Sequence, residues 1–286
     1  MRRAYRLAYD GRPFYGFQRQ PDVPTVEDAL FDALRDLDVF ADDADDADDP
    51  EGPDRPGGYA AAGRTDAGVS ARAQTVALEA PEWLTPRALN AELPASIRAW
   101  ASAEVGPAFH ATHDASERTY VYHLSAPLEP TTTHENFHDD RARAALDRLA
   151  GEHDFHNLTP DETGTVRDLS ASAERDGAFL VLTFRAGGFA RQLVRRIVGL
   201  VAEIGRDESD LSKVDRVLAS DPLDGPEGVA PAPAEPLVLW NVAYPGVAFS
   251  VDTDAAESAR TVFGESRVTH VTAARVAGSI ADGFDG

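Results

Sequence analysis

Cysteine is absent from the 286 residues, which removes disulfides, thiolate nucleophiles and zinc–thiolate sites from consideration. Lysine is nearly absent too: Lys213 is the only one among 27 basic residues, leaving 26 arginines. No apolar run approaches the ~18 residues that a membrane-crossing helix needs, so no span is expected. The start, Met1-Arg2-Arg3-Ala4-Tyr5, passes directly into alternating polar and apolar residues. No signal peptide is therefore expected, and the cytoplasm is the expected location.

What the chain has in excess is acid. Its 49 acidic residues against 27 basic ones give a formal net charge of −22. Taken alone, that argues against a polyanionic partner such as nucleic acid. An acid-rich, lysine-poor composition with short Asp/Ala tracts is also the habit of halophilic proteins. There, salt screens charge over about 3 Å at 1 M, and acidity reports on the solvent and not on the partner. The 43% hydrophobic content is that of an ordinary globular chain, long enough for one large domain or two smaller ones.

Arginine is unevenly placed. From Gly177 to Ala202 there is no Asp or Glu, while Arg185, Arg191, Arg195 and Arg196 fall inside that window. Roughly four acids would be expected there by chance. Because a guanidinium fork grips phosphate bidentately, the island is a candidate phosphate-binding face. A helix whose arginines only solvate one side would give the same count.

The densest motif is Gly63-Arg64-Thr65-Asp66-Ala67-Gly68-Val69. Glycine on either side lets the backbone turn tightly and lets a ligand come close. A carboxylate beside a guanidinium is favoured in its charged form. An Asx-type turn between two strands would satisfy the same string.

Period-2 alternation predicts strands over Arg3–Asp10, Gln74–Glu79, Ile97–Val105, Thr119–Leu124, Leu169–Glu174, Phe179–Arg185 and Leu237–Tyr244. Helices are predicted after Thr25 with the stripe Val26, Leu30, Ala33, Leu34 and Leu37, and briefly from Thr85-Pro86. Others are predicted over Asp140–Leu149, Gln192–Ile204 and Leu211–Ala219. Residues 41–58 read as an acidic low-complexity insert, and Pro222–Pro236 as a Pro-rich loop. The rhythm implies an α+β protein of two similar halves, 1–105 and 106–245, sharing one large, mostly antiparallel sheet. A 246–286 extension follows, part strand and part helix, with frayed last residues.

Six strings, taken in order, resemble the tRNA pseudouridine synthase A family (TruA). They are Tyr15-Gly16-Phe17-Gln18-Arg19-Gln20, Gly63 to Val69, Phe109-His110-Ala111, Arg118-Thr119-Tyr120-Val121-Tyr122, His153-Asp154-Phe155, and Arg191 to Gly199. They span roughly residues 3–245. The resemblance implies the pseudouridine synthase fold, with two RRM- or ferredoxin-like halves. It implies a cofactor-free, metal-free isomerase that breaks the N1–C1′ bond of a uridine, turns the base and rejoins it through C5. Asp66 matches the single catalytic carboxylate. Attack at C1′ as a nucleophile, removal of the C2′ proton and addition at C6 all remain open for it.

By the same resemblance, Arg195 pairs with Asp66, Arg64 displaces the target base from its stem, and Tyr120 stacks on the extruded uracil and shuttles a proton. Leu237 forms an apolar wall. The implied substrate is tRNA, in the anticodon stem-loop at positions 38, 39 and 40, held by a homodimer in a basic cleft. Arg64, Arg72, Arg191, Arg195 and Arg196 are expected to line that cleft. Two positions depart from the family pattern: Ser70 stands where His is usual and Thr112 where Arg is usual, so a contact to RNA is expected to be lost at each.

Two other classes compete. His134-Glu135-Asn136-Phe137-His138 fits HExxH, but Pro130 to Thr133 and Asp139-Asp140 read as a loop entering a helix. No histidine follows at the spacing of a third zinc ligand, although Glu152 and His153 lie downstream, so a zinc hydrolase through His134 and His138 is the weaker reading. A non-catalytic RNA-binding module would need exposed aromatics on the sheet and the RNP1 string, which is missing.

Overall fold

The computed structural model describes residues 1–40, 55–127, 136–223 and 228–284. Most of the acidic insert and His134 of the HExxH string thus lie outside the described residues. Strand β1 (Arg2–Tyr9) runs between β3 (Ser70–Glu79) and β4 (Ile97–Glu104), antiparallel to both. The two-residue β2 (Ala60–Ala61) adds to β3. In the second half, β5 (Glu117–Ser125), β8 (Phe179–Ala186), β7 (Val166–Asp176) and β6 (Gly151–Asp154) follow in antiparallel order. The alternation found in the sequence lines the buried face of β4, through Ile97, Ala99, Ala101 and Ala103, whereas β1 and β3 are buried on both faces over most of their length.

The seam is β9 (Leu237–Ala243). It pairs parallel to β3 through Ser70 with Val238 and Ala71 with Leu239, and antiparallel to β5 through Tyr120 with Leu239. One ten-stranded sheet results; with Ser250–Val251 as β10, its order is β10-β4-β1-β3-β9-β5-β8-β7-β6, with β2 beside β3. Each half keeps its own core. Tyr5, Leu7, Tyr9, Phe17, Leu30 and Phe31 fill the first; Leu146, Phe155, Leu182, Phe184, Ile197 and Val201 fill the second. Tyr120 packs against both.

Helices cover the sheet. α1 (Val26–Asp36) starts where the Thr25 hydroxyl accepts the Asp28 amide at 3.1 Å, a cap worth about 1 kcal/mol. The short α2 (Pro86–Leu89) is capped by Thr85, and α3 (Asp139–Leu149) carries Asp139 and Asp140 at its positive end. α4 (Leu193–Gly205), within one residue of the predicted Gln192–Ile204, buries the stripe Leu193, Ile197, Leu200, Val201 and Ile204. At about 1.5–3 kcal/mol for each fully buried aliphatic side chain, that stripe anchors the helix. α5 (Ser212–Val217) follows.

Residues beyond Tyr244 are more ordered than the sequence suggested. β10 (Ser250–Val251) pairs with β4, and Asp252 then caps the 30-residue α6 (Thr253–Asp282). Only Ala255 and Ala259 of α6 are buried, because its first turns alone lie on the sheet. The tail thus returns to the N-terminal half and extends its edge. No helix among the described residues is long and apolar enough to cross a membrane.

Candidate active site

A cleft of about 1200 Å³ opens between the halves on the helix-covered side of the sheet. Asp66 enters it from the N-terminal half, on the loop between β2 and β3. That loop is held from beneath. The Phe17 amide donates to Thr65 O at 3.0 Å, the Gly68 amide donates to Phe14 O at 3.2 Å, and the Thr65 and Tyr9 hydroxyls lie 2.8 Å apart. Gly16 sits at φ 103°, and a Cβ there would lie 2.9 Å from Thr65 O, so the string around Gly16 works as a buttress that only glycine allows.

Arg195 enters from the other half, on the first turn of α4. Its Nη1 donates to Asp66 Oδ2 at 2.9 Å, with the two side chains 17% and 35% exposed. Its Nε donates to Ala232 O at 2.8 Å, and Arg195 O accepts the Ala232 amide. The 228–236 segment can lie this close to α4 because Gly199 has no side chain; a Cβ would stand 2.3 Å from Ala230 O. The guanidinium is therefore fixed at two of its nitrogens before any substrate arrives.

Tyr120, from β5, lines the cleft with Leu237 of β9. The Phe189 ring meets Tyr120 edge-on, with centroids 5.2 Å apart. Burial, opposed by Arg118 and reinforced by Asp66, pushes the Tyr120 phenol up to about 12. Arg64 also lines the cleft and is exposed. His110, another lining residue, lies below the ordinary imidazole value through burial and its neighbour His113, whose ring is 4.2 Å away.

Not every expected arginine arrives. Arg191 lines the cleft, but its Nε is 3.4 Å from Asp161 Oδ1 and its amide donates to Asp161 Oδ2. Arg196 is turned away by the 100° step of the helix: Nη1 donates to Val229 O and Nη2 to Gln192 Oε1. Arg72 is on the far face. Ala71 packs into the N-terminal core, so strand alternation sends Arg72 to the other side. There its guanidinium lies 5.2 Å from the Trp100 ring and 5.0 Å from Trp240, beside a separate pocket of about 510 Å³.

The two departures have protein partners. Ser70 Oγ accepts the Gly11 amide at 3.0 Å, and the Thr112 hydroxyl donates to Ala61 O. Sequence reasoning assigned no role to Phe189, Gln18, Glu27, Tyr59 or Asp161, all of which line the cleft. Phe189 lay inside the acid-free arginine window, the one signal that pointed to it. Among the described residues no group of three or more His, Asp or Glu side chains is arranged to hold a metal. His138 precedes α3, where its amide donates to Gly205 O.

The cleft between the two α+β halves thus brings one arginine-paired carboxylate together with aromatic and aliphatic walls. Residues 145–245 match the family model described as tRNA pseudouridine synthase. Proteins named tRNA pseudouridine synthase A are similar to this chain over nearly its full length. That of Natronomonas pharaonis is 60% identical, covering 97% of this chain and 98% of that protein. That of Halobacterium salinarum is 58% identical, with 98% of each covered, and that of Methanosarcina acetivorans is 38% identical, with 85% of each covered. The chain belongs to the tRNA pseudouridine synthase A family, which are isomerases.

Proposed function

We propose that the protein converts uridine to pseudouridine at positions 38–40 of the tRNA anticodon stem-loop, with Asp66 as the catalytic carboxylate. The observation that carries this reading is the 2.9 Å ion pair joining Asp66 of one half to Arg195 of the other, at the cleft wall formed by Tyr120 and Leu237. Arg195 engages Oδ2, so Oδ1 is the oxygen offered to the substrate. Arg64, exposed at the rim, takes the place vacated by the target base in the stem, and the extruded uracil lies between Tyr120 and Leu237.

The chemistry needs little more. The N1–C1′ bond breaks, uracil leaves as a delocalised anion held in the cleft, the ring turns, and a C5–C1′ bond forms; the C5 proton is then lost to solvent or a base and N1 takes up a proton, so the product is an isomer of the substrate. A carboxylate held on one oxygen and free on the other suits each of the three routes open to Asp66. Tyr120, protonated at neutral pH, serves as a stacking surface and a hydrogen-bond donor, and not as a resting base. In this reading two copies act together, one tRNA touching both.

The deciding experiment maps pseudouridine in tRNA incubated in concentrated KCl with the wild type and with Asp66→Asn. The rate is expected to fall by about 10³-fold or more in the variant, with tRNA still bound. Undiminished modification by Asp66→Asn would overturn the assignment. Tight binding of unmodified tRNA by the wild type, with no isomerisation, would favour a binding module instead.

A further inference from the structure

The Asp66 loop is gripped by side chains at three successive carbonyls. The Thr112 hydroxyl donates to Ala61 O, Arg118 donates to Ala62 O, and Gln74 Nε2 donates to Gly63 O at 2.7 Å. Arg118 does most. Its Nε and Nη2 reach Ala62 O at 3.1 and 2.6 Å, Nη2 also reaches Thr112 O at 2.9 Å, and Nη1 reaches Gly187 O at 2.6 Å.

Those carbonyls belong to different walls. Ala62 stands four residues before Asp66, and Gly187 stands two residues before Phe189, the ring packed on Tyr120. Arg118 itself is on β5, opposite Val242 of β9 and Ala186 of β8, two residues from Tyr120. One planar fork thus ties the N-terminal loop to the C-terminal wall, at the strand that carries the stacking ring. Asp66 and Arg195 come from opposite halves, so their 2.9 Å bond depends on such a tie.

We propose that Arg118 is a positioning residue for the isomerisation, setting Asp66 and the Tyr120–Phe189 wall in register across the seam. The proposal rests on the reading of Asp66 as catalytic. Lysine cannot take over the role, because an ammonium is a point charge and cannot span Ala62 and Gly187 in one plane.

The test compares Arg118→Ala, Arg118→Lys and Asp66→Asn on tRNA, with kcat and KM measured separately and melting temperatures recorded. For both Arg118 variants kcat is expected to fall by about 10²-fold, the effect of a displacement of about 1 Å, with KM within a few-fold of wild type. Added guanidinium ion is expected to restore part of the rate to Arg118→Ala and none to Arg118→Lys, whose side chain still fills the site. Should the alanine variant fail to fold, the lysine variant retains the charge and most of the stem, and its kcat decides. A wild-type kcat in a folded Arg118 variant, or a loss confined to KM, overturns the proposal and leaves Asp66 untouched. Full activity of Asp66→Asn would overturn both.

Discussion

At the scale of single residues, chemistry is divided between groups that ionise and groups that do not. Asp66 and Arg195 form the ion pair, whereas Tyr120, a phenol already neutral at pH 7, is raised further by burial, to about 12. The sign is plain: a raised phenol stays protonated through neutral and mildly alkaline pH. Tyr120→Phe is expected to lower kcat by about 10²-fold while leaving KM close to wild type, since the ring still stacks and only the donor is lost. The wild-type pH–rate profile should show no step from Tyr120 below about pH 11. A Phe variant at full rate would mean that the ring alone contributes. Among the residues expected at the site, Asp66, Arg64, Tyr120, Arg191, Arg195 and Leu237 all line one cleft. Arg72 and Arg196 do not, and the reason is geometric. A count of arginines in a window carries no information on which face of a strand or helix each one leaves from.

At the scale of elements, close backbone approach decides what the side chains can reach. α4 presents Arg195 to Asp66 only because the 228–236 segment lies directly on Gly199 and offers Ala232 O to the guanidinium. Gly199→Ala would bring a Cβ to 2.3 Å from Ala230 O. It is expected to cost about 1–3 kcal/mol in a denaturant melt and to lower kcat together with stability. A variant with wild-type stability and rate would show that the segment moves aside freely. Strands and amphipathic helices were legible in the alternation and the 3.6-residue stripes, down to the Thr25 cap. The short β2 and β6 were not, being too brief for periodicity to register. Nor was α6 as one helix, because beyond Ser266 all of its described residues are exposed and no buried apolar stripe announces it.

For the whole molecule, the net charge of −22 sets the conditions under which the fold and the RNA complex coexist. Self-repulsion at low salt is screened as the Debye length falls from about 10 Å at 0.1 M to about 3 Å at 1 M. The melting temperature is therefore expected to rise over that range of KCl, and a flat response would remove the acidic surface as a halophilic adaptation. The same salt weakens phosphate contacts by counterion release, so under the proposed function stacking at Tyr120 and the shape of the cleft would supply more of the affinity. By itself, the chain's order of residues determined the α+β class, the elements with strong period, and the Asp66 motif with its family, because each of these is local in sequence. Only the tertiary structure decided the geometry by which Arg195 meets Asp66 from 129 residues away, a pairing the sequence offered through the family resemblance alone, and only it decided that Arg118 joins the two walls and that Arg72 faces elsewhere. Those outcomes depend on how β9 splices two sheets together, and a contact across that seam leaves no periodic trace along the chain.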